Sequence, residues 1–148
     1  MTMTPVQDAS VLLDMSQNEL DRLFCASEPG PIPEGKGEGT AIVAPGTAAA
    51  KVTAQLARWL FWQGKVFNPA SSDLKNRITP FGIRSIRAEV YLDDSWLDQR
   101  PTIVLDYSKS SFVAQKIRDE IREVGPGIYL GKVYWGKRRL IDFSLRFQ

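Results

Sequence analysis

The hydrophobic residues of this chain follow a helical period in its first part and a period of two in its second part. Residues 1–15 have neither period and predict a loose leader before a single domain, 16–148. Ser16-Gln17-Asn18-Glu19 then has the pattern of a capping box, in which Ser16 and Glu19 satisfy each other's backbone amides. The helix that it starts places three apolar side chains on one face: Leu20, Leu23 and Phe24.

A second helix is predicted after a loop and a short strand. The segment Ser27–Gly39 is rich in proline and glycine and predicts the loop, and Gly39–Val43 predicts the strand. Thr47 can cap a helix that continues to Trp62, with a buried stripe formed by Val52, Leu56, Trp59 and Leu60.

From Gly64 onward, alternating apolar and polar positions predict strands. These are Lys65–Phe67, Leu74–Thr79, Ile86–Leu92, Thr102–Tyr107, Ile128–Trp135 and Arg139–Phe147. Only Gly136-Lys137-Arg138 separates the last two, which predicts an antiparallel hairpin.

One more helix is predicted within the strand region. It begins at Ser110 or Ser111, ends at Val124, and has an apolar stripe at Val113, Ile117, Ile121 and Val124. On such a helix, Lys116 with Glu120 and Asp119 with Arg122 would form ordinary surface pairs. The order of elements therefore predicts a mainly β (α+β) fold: an antiparallel β-barrel with helices at its N-terminal side and one inserted helix.

The amino-acid composition excludes several kinds of catalytic and metal site. The chain has 148 residues, no histidine and one cysteine, Cys25. Histidine-based catalytic triads, the usual zinc sites and an internal disulfide are therefore excluded. No phosphate-loop spacing is complete around Gly35, Gly37 and Gly39, so the sequence predicts no cofactor and no metal. The single thiol and the lack of a secretory signal favour the cytoplasm.

Charge is unevenly distributed. Residues 1–39 carry seven acidic and two basic side chains, and the rest carries ten acidic and seventeen basic ones. The basic residues are scattered, which favours an acidic segment packed over a basic body rather than a nucleic-acid site. Transient attachment to an anionic membrane or to nucleic acid is the weaker alternative, through Lys132, Lys137, Arg138, Arg139 and Arg146.

The alternation within the last hairpin suggests which side chains face the barrel interior. One register groups Ile141, Phe143, Leu145 and Phe147 with Tyr129, Val133 and Trp135, and this is the more apolar set. These aromatic side chains fit two interpretations: a completely filled core, or a cavity for a small molecule. For the cavity, the predicted binding residues are Tyr107, Tyr129, Val133, Trp135 and Phe143.

Charged residues on the strands raise the question of polar contacts with a ligand. Asp106, at the end of a strand, and Arg87 are the possible polar handles, provided that they point inward. The alternative for Asp106 is to cap the backbone amides of Ser108–Ser110. Three further charged side chains would contact a ligand only if they pointed inward, and they are expected to lie in solvent: Glu89, Asp142 and Arg146.

The C-terminal half resembles a known group of proteins. The runs that carry the resemblance are Ile103-Val104-Leu105-Asp106-Tyr107-Ser108, Ile117-Arg118-Asp119-Glu120-Ile121-Arg122 and Pro126-Gly127-Ile128-Tyr129-Leu130-Gly131. They are similar to short bacterial proteins of calycin organisation, the class of lipocalin and fatty-acid-binding barrels, and distantly to plastid lipid-associated proteins. The resemblance covers about residues 64–148 and implies a barrel that holds a hydrophobic small molecule.

Two main functions follow as expectations. The first is a non-catalytic carrier or sensor of a lipid, fatty acid or isoprenoid-like molecule. The second is a small barrel enzyme, an isomerase or cyclase, in which Tyr107, Tyr129 or Asp106 transfers a proton. The lack of catalytic histidine favours the carrier, and oligomeric state is left open.

Overall fold

Eight antiparallel strands form a closed barrel in the computed structural model, which describes residues 4–42, 62–78, 87–109 and 115–148. Each strand pairs with its neighbour in the chain, and the first strand closes the barrel against the last. The strands are β1 (Gly35–Ile42), β2 (Trp62–Asn68), β3 (Asp73–Ile78), β4 (Arg87–Asp94), β5 (Pro101–Asp106), β6 (Ile117–Gly125), β7 (Ile128–Trp135) and β8 (Arg138–Arg146). The predicted mainly β barrel is confirmed.

The predicted C-terminal hairpin is also confirmed. β7 and β8 pair antiparallel, with Trp135 opposite Arg138 at the turn. Gly136 in this turn has a φ of 60°, a left-handed conformation that glycine adopts without steric cost. The strand β1 begins earlier than expected, because Gly35 already pairs with Phe67 in what the sequence predicted to be a loop.

The predicted inserted helix is wrong where the structure describes it, because Ile117–Gly125 is strand β6. The spacing of Ile117 and Ile121 fits one face of a helix and equally one face of a strand, so it does not separate the two. A register shift between Glu123 and Gly125 puts Val124 into the apolar cluster outside the barrel. Pairing with both β5 and β7 overrides the helical propensity of this charged segment.

The helical part of the prediction is confirmed only for the first helix. Helix α1 (Gln17–Ala26) has the predicted capping box, with Ser16 as N-cap and Glu19 as its partner. The predicted helix from Thr47 to Trp62 lies outside the described residues except for Trp62, which begins β2. No described helix is long and apolar enough to cross a membrane.

The N-terminal segment is not a loose leader in its described part, and that prediction is wrong. Ala9–Asp14 forms a 3-10 helix with Leu12 fully buried. The backbone amide of Val6 donates to the carbonyl of Val124, 2.9 Å away, which ties the segment to β6. A side chain at Gly125 would meet the carbonyl oxygen of Val6 at 1.8 Å, so glycine is required for this close approach. The N-terminal segment is too short to show a hydrophobic period, but it still buries apolar surface against the barrel.

Ionic contacts fasten α1 and the β4–β5 connection to the outer face of the barrel. The Arg122 guanidinium, fully buried, makes two hydrogen bonds of 2.7 Å to Asp98 and donates to the carbonyl of Phe24. Lys132, also fully buried, donates to Asp21 and Asp142 at 2.7 Å each. These charges are paired and hydrogen-bonded, which is how buried charges are tolerated.

The barrel has two distinguishable ends. The rim end holds the carboxyl ends of the odd-numbered strands: Ile42, Ile78, Asp106 and Trp135. The base holds the carboxyl ends of the even-numbered strands: Asn68, Asp94, Gly125 and Arg146.

We expect Leu12→Ala to lower the free energy of unfolding by about 2–5 kcal/mol, because it leaves a cavity under the 3-10 helix. The matched control is Val11→Ala on the same helix, where the side chain is 47% exposed and the cost should stay within about 0.5 kcal/mol. Urea unfolding of the three proteins measures this. Equal stability of Leu12→Ala and wild type would contradict the packing of this segment.

The pair formed by Arg122 and Asp98 predicts an acid-dependent stability. Hydrogen bonds from Arg122 lower the pKa of Asp98 to about 2, below the roughly 3.9 of an aspartate in an unfolded chain. The stabilisation is therefore present above about pH 4 and is lost as the pH falls towards 2.

We expect Asp98→Ala to destabilise the protein at pH 7 by roughly 3–5 kcal/mol, since Arg122 is left buried without its carboxylate. Its stability should then decline less steeply than that of wild type between pH 4 and pH 2, measured by urea unfolding across this range. Asp14→Ala, at an exposed aspartate, is the control and should follow the wild-type curve. A parallel acid decline in Asp98→Ala would show that Asp98 does not cause it.

Candidate functional site

The interior of the barrel is apolar over most of the described strands. It is lined by side chains that alternate inward from all eight strands, among them Leu74, Val90, Ile103, Leu105, Ile121, Val133, Ile141, Phe143 and Leu145. The register predicted from the last hairpin, with Phe143 and Leu145 inside together with Tyr129 and Val133, agrees with this cluster.

Aromatic rings fill the interior at the base. Phe147 packs edge-to-face against Phe67 and Tyr129, with ring centroids 5.6 and 5.5 Å apart. A Cβ on Gly37 would lie 2.5 Å from the Phe147 ring, so the absence of a side chain there makes room for the ring. Any interior binding site must therefore lie above this aromatic layer, towards the rim end.

Three polar side chains lie inside the barrel above this layer: Lys65, Tyr107 and Asp119, called the interior triad below. The Lys65 ammonium nitrogen is 2.7 Å from the Tyr107 hydroxyl and 3.2 Å from Asp119 Oδ2. The Tyr107 hydroxyl in turn lies 3.5 Å from Asp119 Oδ2. Lys65 is 0% and Asp119 1% exposed, so both charged groups of the triad are buried.

Burial dominates the electrostatics of the triad. Desolvation lowers the pKa of Lys65 and raises the pKa of Asp119, and their mutual attraction only partly opposes these shifts. Both shifts favour the neutral amine and the neutral carboxyl group. The Lys65 nitrogen also lies 5.3 Å from the centroid of the Phe143 ring, a cation–π contact when it is charged.

One atom of the triad has no hydrogen-bond partner among the described residues. Asp119 Oδ1 is buried and unpaired, while Oδ2 of the same carboxyl group contacts Lys65 and Tyr107. An unsatisfied buried oxygen costs about 1–3 kcal/mol. This unfavourable energy arises inside a largely apolar barrel. A polar group of a bound molecule can remove it by donating a hydrogen bond to Oδ1.

The predicted ligand-binding residues fall into three groups. Tyr107, Val133 and Phe143 are buried in the interior, with Tyr107 in the triad and Phe143 beside it. Tyr129 is interior but belongs to the base, where its hydroxyl donates to the carbonyl of Pro31 at 2.6 Å. Trp135 is half-buried at the rim end of β7 and is not part of the interior apolar cluster of the described residues.

The two predicted polar handles are not in the interior, and the structure corrects that prediction. Asp106 accepts from the Tyr91 hydroxyl at 2.7 Å and from the Ser108 amide at 2.8 Å, which is the capping role considered as its alternative. Arg87 is mostly exposed and pairs with Asp73. The alternation of β4 and β5 turns both side chains away from the lumen.

Sequence reasoning missed Lys65 and Asp119. Asp119 was assigned to the surface of a helix, although it stands between Ile117 and Ile121 at strand spacing. Lys65 shares its strand face with buried Phe67, while Val66 between them is exposed. A period of two through both segments is the signal that could have placed these charges inside.

The five basic residues considered for a polyanion site do not form one exposed surface. Lys132 is fully buried, and Arg139 makes two hydrogen bonds of 2.8 Å to Asp21. Within the described ranges, no group of three or more acidic or cysteine side chains has the arrangement of a metal site.

Comparison with known proteins adds evidence on the fold. No family model matches the chain, and no curated protein matches it significantly. A protein from Thermomonospora curvata, known from its crystal structure, is similar over 90% of this chain and 88% of its own, with a TM-score of 0.60 and 16% sequence identity. At that identity the similarity supports the shared barrel fold alone.

Proposed function

We propose that this protein is a non-catalytic carrier or sensor that binds a hydrophobic small molecule inside the barrel, with the polar head group of that molecule at the interior triad. The observation that carries the proposal is Asp119 Oδ1, which is buried in the apolar interior beside two further polar groups and has no hydrogen-bond partner among the described residues. Eight-stranded barrels are wide enough to hold one small ligand, as in the lipocalins that the sequence resembles.

The hydrogen-bonding capacity of the triad indicates which class of ligand head group it can bind. Asp119 Oδ1 can accept a hydrogen bond, so a hydroxyl or an N–H group of the ligand would satisfy it. The apolar side chains around the triad would contact the rest of the molecule, and the aromatic layer at the base limits how deep it extends. A lipid alcohol or an isoprenoid alcohol is the ligand class that combines these features.

The alternative is an enzyme that isomerises or cyclises a hydrophobic substrate. A specific observation favours it: the Tyr107 hydroxyl contacts both Lys65 and Asp119, which is an arrangement able to transfer protons. Tyr129 and Asp106, the other two candidates for proton transfer, are held by Pro31 and by Tyr91 with Ser108. Conversion of a bound ligand would distinguish the enzyme from the carrier.

We place this activity in the cytoplasm, which the single cysteine, Cys25, supports as a half-buried free thiol. Transient contact with a membrane, through which a carrier would load its ligand, is part of the same proposal.

A binding experiment with decanol and decane tests the head-group site. We expect wild type to bind decanol about tenfold more tightly than decane, since one buried hydrogen bond contributes roughly 0.5–1.5 kcal/mol. The double variant Lys65→Met/Asp119→Leu should lose this preference. Because it replaces the buried pair by apolar side chains of similar size, it should also remain folded. Displacement of an uncharged naphthylamine fluorophore measures the affinities.

The matched control is Tyr129→Phe, which removes an interior hydroxyl that already contacts Pro31. It should keep the preference for decanol. An undiminished preference in the double variant would place the head group elsewhere. If neither compound nor the fluorophore binds wild type at micromolar concentration, the carrier proposal fails.

A further inference from the structure

Lys65 has surroundings unlike those of a lysine that only balances a charge. Its amine is fully buried, and within 3.2 Å it has both a carboxyl group, Asp119, and a phenol, Tyr107. A second fully buried lysine of the described residues, Lys132, lies outside the barrel between two carboxylates, Asp21 and Asp142. The carboxylate beside Lys65, that of Asp119, is itself buried inside the barrel.

We infer that Lys65 is a reactive amine that binds hydrophobic aldehydes or ketones covalently and reversibly as an imine, with Asp119 as the acid–base group. This inference rests on the proposed function, because the carbonyl compound would occupy the same site as the proposed ligand. It extends the ligand class of that site from hydrophobic alcohols to hydrophobic molecules with a carbonyl head group.

The groups needed for this reaction are all present. The neutral Lys65 amine attacks the carbonyl carbon, a C–N bond forms, and the carbonyl oxygen takes a proton from the Asp119 carboxyl group. The Asp119 carboxylate then accepts a proton from the nitrogen, which gives a neutral carbinolamine. Asp119 returns that proton to the hydroxyl as the C–O bond breaks, so that water leaves and an imine forms. The remaining nitrogen-bound proton goes back to Asp119, and no oxidant or reductant is consumed.

The position of Asp119 fits both proton transfers. Oδ2 lies 3.2 Å from the Lys65 nitrogen, whereas Oδ1 has no partner among the described residues and can contact the carbonyl oxygen. Tyr107 holds the amine through a 2.7 Å hydrogen bond. Burial lowers the pKa of Lys65 and raises the pKa of Asp119, and both directions favour the neutral amine and the protonated acid that the first step uses.

Reductive trapping tests the inference. The full-length protein is incubated with decanal and sodium cyanoborohydride near neutral pH, and its intact mass is measured, followed by peptide mapping. We expect one rapid addition, equal to the mass of decanal less one oxygen atom, on the peptide that contains Lys65. Exposed lysines are mostly protonated at this pH and should react at least tenfold more slowly.

Two arginine variants provide the matched comparison. Lys65→Arg keeps a long side chain with N–H donors but cannot form an imine, and it should lose the rapid addition. Lys36→Arg, at an exposed lysine on the adjacent strand β1, should keep it. Asp119→Asn, which keeps the amine and removes the acid, should slow the addition about tenfold or more and gives a second readout if Lys65→Arg does not fold.

The outcomes separate this inference from the proposed function. Labelling spread over exposed lysines in wild type, with Lys65 unmodified, overturns the inference. If decanol still binds in that case, the carrier proposal stands and only the covalent step is wrong. If decanal labels Lys65 but decanol does not bind, the reactive lysine is established and the proposed class of alcohol ligands is wrong.

Discussion

Closure of the barrel between β1 and β8 is the constraint on which the other features depend. β1 has the sequence Gly-Lys-Gly-Glu-Gly-Thr-Ala-Ile, which has little intrinsic preference for a strand. It becomes one because it pairs with β2 on one side and with β8 on the other. Its glycines also let the interior ring of Phe147 lie against the backbone at Gly37. With both edges paired, the sheet encloses an interior in which Lys65 and Asp119 are buried.

That enclosed interior gives the triad its chemistry. In water, Lys65 and Asp119 would form a weak ion pair of ordinary pKa. Inside the barrel each is desolvated, and an apolar pair of similar volume would often stabilise a fold equally well or better. Stability alone therefore gives little reason for these residues to be there, whereas recognition or chemistry of a bound molecule does.

On the outer face of the same strands, buried charged side chains have hydrogen-bond and ion-pair partners that stabilise the fold. Arg122 binds Asp98 through two hydrogen bonds and donates to several backbone carbonyls as well. Lys132 has two carboxylate partners, and Glu120 accepts from Ser95 and from the amide of Trp96. All three lie at the seam between the barrel and the segments that pack on it. Asp119 Oδ1 differs from these groups, because it has no hydrogen-bond partner among the described residues, and this difference supports the proposed binding site.

The sequence by itself determined the elements whose signals are local. The capping box at Ser16 and Glu19 and the tight turn at Gly136 depend on neighbouring residues, and the structure has both. The inward face of the last hairpin also followed from simple alternation, which placed Tyr129, Val133 and Phe143 inside.

Only the tertiary structure decided β6 and the interior triad. Ile117 and Ile121 are four residues apart, which suits a helix and a strand alike, and pairing with β5 and β7 settles the choice. The same pairing turns Asp119 inward, where closure of the barrel brings it within 3.2 Å of Lys65, a residue 54 positions earlier in the chain. No local pattern records such a contact, because it depends on how many strands close the barrel and in which register.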